Sequence, residues 1–138
     1  MHGDLQELGR AVKQAQYRQH RALESGLSAI GATLAQWDAL RAMSRSPGAS
    51  ARELAAATFQ TEQAFGTLAG RLVAQGWIER RPGRGRRIEH HLTPSGERVL
   101  EAGHKVADEV LARCYIPLSD GDRETLLALL QRLIAKDA

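Results

Sequence analysis

Apolar residues recur at helical spacing along most of this chain, and each run begins with a residue able to cap a helix. Leu5, Leu8, Val12, Ala15, Leu23 and Leu27 keep roughly one face. Asp4-x-x-Glu7 offers that run a capping box, and Ser25-Gly26 marks its expected end. Thr33-x-x-Gln36 opens a second run through Trp37, Leu40 and Met43, stopped by Ser46-Pro47-Gly48. Ser50-x-x-Glu53 opens a third that reaches only about Ala57. After the link Thr58-Phe59-Gln60, Thr61 caps a fourth with Phe65, Leu68, Ala69 and Leu72 on one face. Gly76 suits the left-handed position past its end. Thr93-Pro94 starts a fifth, with Val99, Leu100, Val106, Val110, Leu111 and Cys114 as its stripe. Tyr115-Ile116-Pro117 breaks it, and Ser119 caps a last helix carrying Leu126, Leu127, Leu129, Leu130, Leu133 and Ile134.

The period changes over residues 77–93. Trp77 and Ile78, then Ile88, His90 and Leu92, offer one face on a period of two, which predicts a hairpin turning at Pro82-Gly83-Arg84-Gly85. Five arginines (80, 81, 84, 86 and 87) stand there against two glutamates, with no lysine. Guanidinium is planar, permanently charged and shaped to grip phosphate. A short helix, a tight link, a second helix and a basic hairpin make a winged helix-turn-helix. Its second helix enters the major groove and its wing reaches the backbone or minor groove. The expected fold is mainly α with a small β-hairpin wing, the lobe spanning about 33–93. The outer helices, about 4–26 and 94–136, are too apolar for so small a lobe to satisfy. Their leftover faces are expected to bury against a second copy, giving a two-fold dimer that meets two half-sites about one helical turn apart.

Composition sharpens this picture. A chain of 138 residues suits a single domain. Its net charge is only +3, and all of that excess lies in residues 50–100, as expected where a polyanion binds. The single Cys114 excludes an intramolecular disulfide and any cysteine-rich zinc module. With no run of about 18 apolar residues and no signal-peptide core at the N-terminus, the chain reads as cytoplasmic, with no membrane partner.

Four segments in order carry a family resemblance: Gln36-Trp37-Asp38-Ala39-Leu40, Ser50-Ala51-Arg52-Glu53-Leu54-Ala55, Arg71 through Arg80, and Leu92-Thr93-Pro94-Ser95-Gly96. Over residues 30–100 the chain resembles the MarR family of bacterial transcription regulators. The resemblance implies a homodimeric DNA-binding repressor or activator; in many members a small aromatic ligand, or oxidation of a cysteine, releases the DNA. It places Arg86 on the family's wing arginine. Three positions depart from the pattern. Gly66 and Thr67 stand where the recognition helix usually has a small polar residue and an arginine, Phe59 replaces a turn glycine, and Arg84 replaces an acid.

With Phe65, Leu68, Ala69 and Leu72 buried, the opposite face of the recognition helix shows Gln63, Thr67, Gly70 and Ala74, flanked by Gly66 and Arg71. Gln63 can pair with adenine and Thr67 can touch a thymine methyl. The expected DNA-binding set is Gln63, Thr67 and Arg71 at the groove, Arg84, Arg86 and Arg87 at the wing tip, and Ser50 and Thr61 at helix N-termini, where backbone N–H groups meet phosphate. The glycines either admit close DNA backbone or mark lost reading. The alternative function is therefore a winged-helix dimer serving as a protein- or ligand-binding module without sequence-specific DNA binding.

In the family the effector cleft lies between the dimer helices and the lobe, which brings Tyr17, His20, Arg21, Trp37 and Arg41 to its wall. An arginine beside aromatic surface suits a carboxylated aromatic ligand; Trp37 is equally placed to be core. Cys114, on an apolar stripe, is expected to be a buried structural thiol. His90 and His91 are adjacent on a strand and point to opposite faces, and His2, His20 and His104 are scattered, so no metal or cofactor is expected. No phosphate-binding glycine loop or nucleophile motif is present, and the chain is not expected to be an enzyme.

Overall fold

The computed structural model describes residues 3–135, so His2 and Lys136, the outer limit expected for the C-terminal helices, lie outside the described residues. Helix α1 spans Gly3–Ser28. The Asp4 box is corrected: Asp4 is inside the first turn, where an acid favours the helix dipole without capping. The expected stop at Ser25-Gly26 is also corrected. Gly26 packs so tightly that a Cβ there would sit 2.9 Å from methyls of Val106 and Val110. The chain instead turns at Gly31, where Ala32 donates to the Leu27 carbonyl and Gly31 to that of Ser28.

Helices α2 (Leu34–Arg45) and α3 (Ala51–Ala57) open with complete capping boxes at Thr33 and Ser50. Thr61, Thr93 and Ser119 cap α4 (Glu62–Ala74), α5 (Pro94–Cys114) and α6 (Asp120–Ile134). Leu27, Leu40, Met43, Leu54, Phe65 and Leu72 are fully enclosed and join α1 to α4 in one core, which α5 closes with Leu100, Ala107 and Val110. Trp37 anchors that closure. Its indole N–H donates to the Leu100 carbonyl at 3.2 Å. Gly103 lets α5 come this close, since a Cβ there would lie 2.2 Å from Trp37 Nε1.

Strands β1 (Ile78–Pro82) and β2 (Ile88–Leu92) pair antiparallel, Ile78 opposite Leu92 and Pro82 opposite Ile88. Ile78 and His90 face inward as their alternation predicts, but Ile88 does not. It lies where the hairpin has outrun the core, and it is exposed. A third backbone segment, invisible in the sequence, joins β2: Gly48 N–H donates to the His90 carbonyl, and His90 N–H to that of Ala49.

Helices α3 and α4 end in the same hydrogen-bonded turn. Trp77 and Gly76 donate to the Leu72 and Val73 carbonyls, while Gln60 and Phe59 donate to those of Ala55 and Ala56. The left-handed position is Gly76 in one, φ +77°, and Phe59 in the other, φ +59°. For an L-residue with a Cβ that conformation costs roughly 1–2 kcal/mol.

Leu5, Leu8 and Val12 of α1 and Leu127, Leu129, Leu133 and Ile134 of α6 are exposed, with little cover among the described residues. None of the residues of α6 is buried.

Candidate nucleic-acid interface

Helix α4 rests on Phe65, Ala69 and Leu72, which turns its other side outward. Thr61, Gln63, Thr67 and Arg71 line one shallow hollow of 490 Å³, closed at its edge by Ala35 and Gln60. Four predicted DNA-binding residues are thus brought together. Thr67 spends its hydroxyl on the Gln63 carbonyl at 3.2 Å, leaving its methyl for an apolar contact. At Gly66 and Gly70 a Cβ would meet nothing within 4 Å. Packing within the chain therefore does not require either glycine, although each costs a helix about 1 kcal/mol relative to alanine. Ser50 and Thr61 accept the cap bonds of α3 and α4, and each hydroxyl keeps its proton to donate elsewhere.

The wing arginines fall into two groups. Arg84 and Arg86 are exposed at the turn, and neither has an acidic partner among the described residues. Arg80 on β1 is likewise exposed and unpaired among them, and the predicted set omitted it. Arg81 pairs with Glu79. Arg87, expected at the tip, is instead committed to the wing's root. Its guanidinium donates to Glu53 Oε1 at 2.7 Å and to the Gly48 carbonyl at 3.0 Å. Glu53 also accepts the Ser50 N–H. That bond, helped by Arg87, lowers its carboxyl to about 2.

His90 fastens the same root from inside. It is 2% exposed, its Nδ1 lies 2.9 Å from the Ala49 carbonyl, and its ring meets Phe65 edge-on at 6.2 Å. Burial holds its pKa below the usual histidine value. Sequence gave its inward direction but not this clamp.

The five residues expected at an effector cleft include two stacked pairs, Arg41 on Trp37 and Arg21 on Tyr17, and His20 stands within electrostatic reach of Asp38, the partner of Arg41. Trp37 is 3% exposed and belongs to the core. Arg41 stacks over its ring at 4.5 Å and lies 3.5 Å from Asp38. Desolvation raises the Asp38 pKa against the pull of Arg41. Arg21 sits over Tyr17 at 5.8 Å, and His20 pairs loosely with Glu24 at 4.0 Å. None of the five lines a groove of 910 Å³ between α1 and the end of α5. That groove is lined by Cys114, which is exposed and not a buried thiol. There α1 and α5 stand apart and leave the groove open over the thiol, although the Tyr115 hydroxyl still reaches Gln19 of α1 at 2.6 Å. No group of three or more His, Cys, Asp or Glu residues able to hold a metal occurs among the described residues, and no helix there is long and apolar enough to cross a membrane.

The sequence profile of the MarR family matches residues 30–88. A probable transcriptional regulator from Pseudomonas aeruginosa shares the fold at a TM-score of 0.81 and 31% identity, covering 91% of this chain and 95% of that one. A MarR family protein of Mycobacterium tuberculosis, solved with p-aminosalicylic acid and with DNA, is 26% identical at a TM-score of 0.79, covering 93% of this chain and 98% of its own. Apo MarR from Escherichia coli is 25% identical at 0.83, covering 93% and 97%. No curated protein sequence matches the chain.

Proposed function

Since the chain belongs to the MarR family of winged-helix transcription regulators, we propose that it works as a homodimeric repressor on a pseudo-palindromic DNA site. The observation that carries this is the pair of arginines without an acidic partner among the described residues, Arg84 and Arg86, at the tip of a wing rooted at the start of α3. Two fixed positive charges held off the surface suit the phosphate backbone, while Gln63, Thr67 and Arg71 meet base edges and the capping hydroxyls of Ser50 and Thr61 meet phosphate. Gly66 and Gly70 leave the helix axis free to approach DNA closely. Arg87 serves indirectly, by aiming the wing.

In this reading the whole chain is one domain. The uncovered apolar sides of α1 and α6 form the dimer interface, and the regulator meets chromosomal DNA in the cytoplasm. Occupying a promoter-proximal site excludes the polymerase. Release is by a small aromatic acid, whose carboxylate would pair with Arg41 or Arg21 beside aromatic surface. The salicylate-type ligand of the Mycobacterium tuberculosis protein supports that class.

The bare recognition helix favours one second reading, a winged-helix dimer that docks protein or ligand without reading sequence. Selection of bound fragments from random DNA separates the two. The regulator enriches a pseudo-palindrome with half-sites about 10 bp apart, and p-aminosalicylate weakens that complex. Salt-sensitive binding with no enriched motif would favour the docking module.

A further inference from the structure

Phe59 carries two separate costs. At 97% exposure it is the most exposed of the large apolar side chains among the described residues. Its backbone also holds a left-handed φ of +59°, found at no other non-glycine residue among them. The turn does not need this residue, because the matching turn after α4 is made with Gly76. Glycine at 59 would relax the backbone and remove the exposed ring together. A phenyl ring held proud of the surface by strained backbone, between two capped helices, is positioned for something outside the chain.

Its place indicates what that is. Phe59 stands two residues before Thr61, the N-cap of α4. It lies on the lobe that holds all the chain's excess positive charge, where α3 and α4 pack on α2 and the hairpin. The apolar faces left for a second copy are elsewhere, on α1 and α6. When the first turn of α4 enters the major groove, the residues leading into it reach the groove's rim. The apolar surfaces of DNA there are thymine methyls and deoxyribose faces. The outward side of α4, with Gly66 and Gly70, offers little contact of its own.

We propose that Phe59 is a DNA-contacting residue whose ring covers apolar DNA surface beside the first turn of α4. This rests on the DNA-binding function proposed above. The contact adds affinity without charge, so it acts independently of the wing.

The test uses the duplex that the wild-type protein enriches from random DNA. Phe59→Ala removes the ring and keeps the strained φ, Phe59→Gly removes both, and Phe59→Tyr keeps aromatic surface. The Ala and Gly variants should each bind about fivefold to tenfold more weakly, and the Tyr variant within about twofold of wild type. The slope of log affinity against log salt should stay unchanged, because no cation is lost. The Gly variant should melt above wild type while binding less well, a combination that misfolding does not produce. Thymines are then replaced by uracil one at a time. A position where uracil costs wild type about fourfold and the Ala variant nothing assigns the contact to a methyl, and the absence of any such position assigns it to deoxyribose. If the Ala and Gly variants bind the duplex as tightly as wild type, this inference is overturned and the DNA-binding function stands. If wild type enriches no duplex, both fall.

Discussion

Replacing Arg84 and Arg86 with alanine tests the wing quantitatively, because the structure separates these two from the other arginines of the hairpin. Neither is tied to an acid among the described residues, whereas Arg81 and Arg87 are paired with Glu79 and Glu53. Each phosphate neutralised contributes a slope of about −0.9 to log affinity against log salt. Two arginines on each of two protomers make four contacts, so the double variant should lose roughly 3.6 from that slope. Extrapolated from about 1 M to about 0.1 M salt, the same counterion release corresponds to a loss on the order of a thousandfold in affinity. Fluorescence anisotropy on the enriched duplex, titrated at several salt concentrations between about 50 and 200 mM, reads the slope directly. Thermal melting should be unchanged, since both side chains are exposed. Arg87→Ala is the control. It breaks the tie to Glu53 and Gly48, so it should lower the melting temperature as well as the affinity. A double variant whose slope matches wild type would refute the assignment of these arginines to phosphate.

Three further outcomes follow from the packing and titration of the lobe and its helices. Gly103→Ala drives a Cβ to 2.2 Å from the Trp37 ring nitrogen. Overpacking of about 1–3 kcal/mol should outweigh a helix-propensity gain of about 1 kcal/mol, lowering the melting temperature by a few degrees; an unchanged or raised value would mean the indole can move freely. Two acid limbs should appear in denaturant titrations across pH. Unfolded His90 takes its proton at 6.5 while the buried ring resists, so its share of stability is present above 6.5 and falls as pH drops below it. Glu53, held near 2 against an ordinary 4.5, loses its share only as pH falls from 4.5 towards 2. His90→Gln should flatten the upper limb alone, and persistence of that limb would point to another histidine. Finally, Leu129→Glu with Leu133→Glu places charges on uncovered positions of α6, 48% and 75% exposed. Sedimentation should show the proposed dimer dissociating at least tenfold more readily than wild type; an unaltered dimer would remove α6 from the interface.

Helix starts were legible because capping is local. Thr33 and Ser50 meet their partners three residues away, and the boxes form as their sequences specify. The misreadings come from residues whose local signal has two physical meanings. Glycine at 26 looks like a stop, but its missing side chain makes room for Val106 and Val110, far along the sequence. Alternation pointed Ile88 inward, yet alternation sets only the side of a strand and not how far the core extends beneath it. Charge alone could not tell the wing's tip from its root. Arg87 is distinguished from Arg86 by Glu53 and the Gly48 carbonyl, 34 and 39 residues earlier. Cys114 lies on an apolar stripe, but α1 and the end of α5 leave a groove open over it. The departure at Phe59 was visible as a residue, while the sign of its φ was not.

The fastening of the wing limits how DNA can be let go. Arg87 bridges β2 to the start of α3, and His90 pins the same strand to Ala49 by backbone and ring together. Hairpin, α3 and α4 are therefore fastened directly to one another. Under the proposed function, a ligand would not act by folding the wing away from a helix that remains in its groove. In the proposed dimer it would have to change the distance or angle between the two lobes, so that both lift from their half-sites together. Regulation in the proposed dimer is then a matter of span, set by the long helices, while the reading head keeps its shape.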